Sequence, residues 1–178
     1  MSENETPADS IAENTEAQSQ QERPQAGFAM ERVYVKDVSF ESPNSPDVFM
    51  QPWKPKVVMD LNTKHKLVRD NVHEVAVTIT LTVKVEEKTA YILEVQQAAL
   101  FVIQGIEGMQ LHHTLGVVCP NLIFPYLRES IDNVLAKGSF QPMMLAPVNF
   151  EAIFAQALEK KKQEMAQASE EAQDSTSH

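Results

Sequence analysis

The chain has little of what most chemistry needs. It holds a single cysteine, Cys119, so no disulfide forms within one copy. A lone thiol fits a reducing compartment, and the cytoplasm is the expected location. No run approaches the ~18 apolar residues of a membrane helix. No basic stretch followed by an apolar one opens the sequence, so no export signal is expected. The few glycines form no phosphate-cradling pattern. Ser130 follows Glu129 but lies in no nucleophile elbow. His112, His113 and Cys119 are near neighbours, yet a zinc site takes about four ligands, and no second CxxC or HxxxH supplies them. The expectation is a protein that is not an enzyme, with no metal and no cofactor. The alternative is a small-molecule-binding or thiol-dependent domain centred on Cys119.

Positive charge is also scarce. The formal net charge is −10, a poor match for nucleic-acid phosphates and a better one for a basic protein partner. The acids are concentrated at the ends. Residues 1–27 carry six acids and one base. That stretch has almost no large apolar side chains and is expected to be disordered, because it buries too little to offset ordering entropy. Residues 165–178 have the same character and are expected to form a flexible tail. One domain, residues 28–164, lies between.

What the chain does have is dense apolar patterning from Tyr91 to Glu129. Upstream of it the period is two. Residues 32–41 read as a strand in which Val33 and Val35 share one parity and Val38 and Phe40 the other, which implies a bulge or apolar contacts on both faces. Prolines 43, 46, 52 and 55 make the next stretch a long irregular connection. Residues 57–61 begin a short strand. Residues 74–85 alternate cleanly: Val75, Val77, Ile79, Leu81, Val83 and Val85 face the core, and threonines dominate the wet side. Glu86–Thr89 is a turn, and residues 90–103 return as a strand, apolar on both parities from Ala98.

The period then lengthens. Met109, Leu111, Leu115 and Val118 suit a helix that Pro120 interrupts. Asn121 caps a second helix that Gly138 ends, and Asn149 caps a third with a stripe of Phe150, Ile153, Phe154, Ala157 and Leu158. Strands followed by helices make an α+β fold, with an antiparallel sheet and helices on one face. The apolar arc of the 107–135 helices is too wide for a simple surface helix, which favours burial between subunits.

Several side chains have two readings. Trp53 and Phe49 either anchor the proline-rich loop to the core or line a groove for an extended chain. Met59, Met143 and Met144 either fill gaps or suit a promiscuous surface. Asp37, Glu41 and Glu94 stand in strands, where acids are disfavoured. They are either simply solvated or form an acidic patch for a basic partner.

Residues 33–49 (VYVKDVSFESPNSPDVF), Trp53, 94–108 (EVQQAALFVIQGIEG), 115–129 (LGVVCPNLIFPYLRE) and 145–154 (LAPVNFEAIF) resemble the bacterial protein-export chaperone family SecB. The resemblance spans about residues 30–158. It implies a four-stranded antiparallel sheet with helices packed on one face. It also implies a homotetramer, a dimer of dimers. Such a chaperone binds unfolded precursor proteins, keeps them translocation-competent and delivers them to the SecA export ATPase. By the same resemblance, Trp53, Val57, Met59, Leu61, Phe124 and Leu127 hold clients, and Asp37, Glu41 and Glu94 meet SecA. Nucleic acid and direct membrane insertion are not implied. The chain departs from the family pattern at Ala98 and Ala99, where many members have glycine, and in its longer acidic N-terminal segment.

Overall fold

The computed structural model describes residues 26–174, with side chains as far as Met165. Four strands form one antiparallel sheet: β1 (Gly27–Glu41), β2 (Pro55–Arg69), β3 (Val72–Val85) and β4 (Lys88–Gln104), in the order β1-β4-β3-β2. The expected four-stranded α+β architecture is borne out. The odd-numbered valines and Ile79 and Leu81 of β3 are buried, as are Tyr91, Leu93, Val95, Ala99 and Phe101 of β4. Alternation therefore points one face of the two central strands at the core.

The parity shift in β1 is a pair of bulges, between Met30 and Arg32 and between Val35 and Asp37. The connection from β1 to β2 crosses from one edge of the sheet to the other. Val48 plugs it into the core, and Asn44 and Ser42 donate to the carbonyls of Thr89 and Ala90, at 2.9 and 2.8 Å. β2 is far longer than the short strand expected at 57–61. Its second half, through Arg69, is polar because an edge strand is wet on both faces, while β3 satisfies its backbone along the full length.

Pro120 does not separate two helices. α1 (Gly108–His113) runs through one π-helical turn (Thr114–Val118) into α2 (Cys119–Lys137). The Cys119 N–H reaches back to the Thr114 carbonyl, and this widened turn accommodates a proline that has no N–H to give. Asn121 is accordingly no cap; its side chain donates to the Val117 carbonyl at 3.0 Å. Gly138 does end α2, but not through a left-handed turn, since its φ is −80°. Glycine is needed there because a Cβ would stand 2.5 Å from the Phe40 ring. Asn149 caps α3 (Phe150–Asp174) as expected, accepting from the Ala152 N–H at 3.0 Å.

α2 lies on β4, β3 and β1, and α3 packs on the π-helical turn. Gly116 admits the Phe154 ring, which a Cβ would meet at 2.6 Å. α3 runs on to Asp174, into the 165–178 stretch expected to be a flexible tail, because Ala, Glu, Gln and Lys favour helix. Of the expected N-terminal tail, residues 1–25 lie outside the described residues, and Gly27 already belongs to β1. No described helix is long and apolar enough to cross a membrane.

Candidate functional site: an apolar rim and a charged sheet face

The proline-rich connection brings five aromatic rings together. Phe140, just beyond α2, is their hub: its centroid lies 4.8 Å from Tyr91, 5.2 Å from Phe49, 5.7 Å from Trp53 and 6.2 Å from Phe40. Trp53 is both anchor and surface, since it contacts Phe140 yet stays 38% exposed. A groove runs beside it, lined by Val48, Phe49, Gln51, Trp53, Phe140 and Gln141. The line continues along β2. Val57, Met59 and Leu61 pair with Val83, Leu81 and Ile79 and so share the helix-side face. α2 does not reach that far across the sheet, so Val57 and Met59 stay about half exposed, while Leu61 packs partly into the core. The sequence offered no signal for Phe140, which sits in an irregular stretch.

Phe124 and Leu127 are not on this rim. Both belong to the core, with Leu127 fully buried and Phe124 set edge-on to Phe150 at 5.9 Å. The spacing Ile123, Leu127, Ile131 and Leu135 turns toward the sheet, and all four are fully buried. The outward stripe is Val118, Leu122 and Tyr126, exposed by 37%, 39% and 46%. The wide apolar arc thus divides into a face used within the chain and a face the single chain leaves open.

The opposite face of the sheet carries no helix among the described residues. Register assembles it in rows across β1, β4, β3 and β2: Glu41–Ile92–Thr82–Val58, Ser39–Glu94–Thr80–Asp60, Asp37–Gln96–Thr78–Asn62, Tyr34–Ala98–Ala76–Lys64, and Arg32–Leu100–Glu74–Lys66. Asp37, Glu41 and Glu94 therefore share one face, joined by Asp60, which sequence reading missed. Thr80 donates to Glu94 at 2.9 Å. The last two rows are basic. Glu74 alone is acidic there, bonded by Lys36 at 2.7 Å, by Lys66 at 3.2 Å and by the Tyr34 hydroxyl. The hydrogen bond from Lys36, then that from Tyr34, holds the Glu74 carboxyl at about 2; Lys66 adds to this and burial works against it. Burial, then the Glu74 bond, pushes the Tyr34 hydroxyl up to about 12. The Tyr34–Glu74 link crosses β4 beside Ala98, which is fully buried, whereas Leu100 and Val102 on the same face stay partly exposed.

Cys119 is fully buried, and burial pushes its thiol up to about 12, so it stays protonated and inaccessible at neutral pH. His113 instead binds Glu151 of α3 at 2.9 Å and meets the Phe154 ring edge-on. Among the described residues, no group of three or more His, Cys, Asp or Glu is placed to hold a metal.

The family described as "Preprotein translocase subunit SecB" matches residues 19–161. A "Protein-export protein SecB" of Marinobacter nauticus is 54% identical over 163 residues, covering 92% of this chain and 99% of the relative. One from Hahella chejuensis is 52% identical over 162 residues, covering 91% and 99%. Among solved structures, a Mycobacterium tuberculosis SecB-like chaperone in complex with a ChAD peptide from an antitoxin shares the fold. Its TM-score is 0.58 at 12% identity, over 68% of this chain and 90% of that one.

Proposed function

This chain belongs to the SecB family, and from that premise we propose that it is a cytoplasmic chaperone that holds unfolded precursor proteins translocation-competent and delivers them to the SecA export ATPase. The carrying observation is the half-open apolar rim of Trp53, Val57 and Met59, with Leu61 at its inner edge. Covering each of these half-exposed side chains contributes only about 1 kcal/mol. Such contacts read no strict sequence and need repetition to hold a client, which favours several rims on one assembly. Phe124 and Leu127 serve the rim from beneath, as core that fixes α2 on the sheet.

The outward stripe of Val118, Leu122 and Tyr126 supports self-association, in a homotetramer built as a dimer of dimers. Asp37, Glu41 and Glu94 serve as the SecA contact, with Asp60 extending their surface. Trp53→Ala combined with Met59→Ala tests the rim. Affinity for an unfolded precursor should fall about tenfold, while native mass stays that of the parent assembly. Unchanged capture by the double variant removes the rim from client binding.

A further inference from the structure

The open sheet face is electrically divided, and only its acidic half has a use above. The other half gathers Arg32, Lys36, Lys64 and Lys66 around a single acid, Glu74. All four bases are exposed, and neither Arg32 nor Lys64 has an ion-pair partner among the described residues. Lys36, Lys64, Lys66 and Glu74 also line one open depression, together with His65, Ala76 and Gln96. A concentration of positive charge on a chain of net −10 calls for an acidic occupant.

We propose that these basic rows are the docking surface for the chain's own N-terminal segment, residues 1–25. Its charge is complementary: Glu3, Glu5, Asp9, Glu13, Glu16 and Glu22 against Arg23 alone. It enters the sheet at the right end. Gly27, the first residue of β1, pairs with Gln104, beyond the Arg32 row on the basic side. β1 and β2 are three strand spacings apart, about 14 Å. Chain extends by ~3.3 Å per residue, so the stretch from Glu16 to Gly27 spans up to about 36 Å and brings Glu16 over any of the four bases, while Glu22 reaches about 17 Å and covers the Arg32 end of the rows. Docked there, the segment neutralises the basic rows, and carboxylates then cover the whole open face.

Zero-length carbodiimide coupling of the full chain, mapped by mass spectrometry, tests this. Amide links from Glu13, Glu16 or Glu22 to Lys36, Lys64 or Lys66 are expected, and they should fall several-fold in about 0.5 M salt. In the full-length triple variant Glu13→Gln, Glu16→Gln, Glu22→Gln, the acetylation rates of Lys64 and Lys66 should rise several-fold. Lys64→Glu, at an exposed position, should remove the links to its neighbours without changing the melting curve. Equal lysine reactivity in parent and triple variant overturns the proposal. So do links found only between isotopically distinct copies, which assign the rows to a second chain's segment. Protection of the lysines that appears only when an added acidic peptide is present also overturns it, since the rows then serve a separate partner. Client capture is unaffected by any of these changes, so failure here is distinct from failure of the rim.

Discussion

The two faces of the sheet are built by different rules. The helix-covered face is mainly aliphatic along β1, β3, β4 and the first half of β2, and its burial follows from alternation within a single segment. The open face owes its organisation to register, which sets Asp37 of β1 in a row with Gln96, Thr78 and Asn62, far apart in the chain. One face stores stability and admits a polar side chain where it is paired, as the buried Gln97 accepts from the Ser130 hydroxyl at 3.0 Å. The other is mainly polar, and its information lies in which charges stand side by side. A break in the first should unfold the molecule, while a break in the second should alter what it binds.

The sharpest test of this contrast is Leu127→Ala. Leu127 is fully buried between α2 and the sheet, so truncation removes transfer energy and leaves a cavity. A loss of about 2–5 kcal/mol in denaturant unfolding is expected. A loss below 1 kcal/mol would show that the helix face repacks freely and that the covered face is no rigid core.

The same division explains how much of the molecule is legible from sequence. Alternation in β3, the parity break in β1 and the Asn149 cap are local patterns, and each is found where it was read. The second half of β2 carries no such pattern, because at a sheet edge neither face demands apolar residues. The helix through Pro120 is illegible because a π-helical turn removes the clash that normally ends a helix. Residue type suggested Trp53 as a surface candidate, but the hub role of Phe140 depends on a fold contact. The acids Asp37, Glu41 and Glu94 stand out by lying in strands, and the family resemblance adds only the partner they would meet. Asp60 and the basic rows required the register.

Glu74 sits between the two regimes: it is on the open face yet 8% exposed. Glu74→Gln leaves Lys36 and Lys66 without their counter-charge and should cost about 1–3 kcal/mol. The pH dependence gives the sign. The folded carboxyl titrates at about 2 against an ordinary 4.5, so its stabilisation is complete above that ordinary value. It is lost as pH falls from there toward about 2. The parent should therefore lose stability along this acid limb, while the variant's limb should be flatter. Parallel limbs would mean that Glu74 contributes nothing through its charge.

Glu94→Lys has the smallest expected effect on stability and the largest on recognition. Glu94 is only partly buried, and its one described side-chain bond is accepted from Thr80. Its removal should change unfolding by no more than about 0.5 kcal/mol. The substitution places a cation between Asp60 and the β1 acids, in the middle of the acidic rows, and repels a basic partner there. Affinity for SecA should fall about tenfold or more, chiefly through a slower association rate that added salt no longer depresses. Thr80→Val provides the control, because it deletes the hydrogen bond and keeps the charge. If Thr80→Val weakens SecA binding as much as Glu94→Lys does, the position of the Glu94 carboxylate matters more than its charge. If neither variant changes binding, the acidic rows are solvated surface and the two faces differ in stability alone.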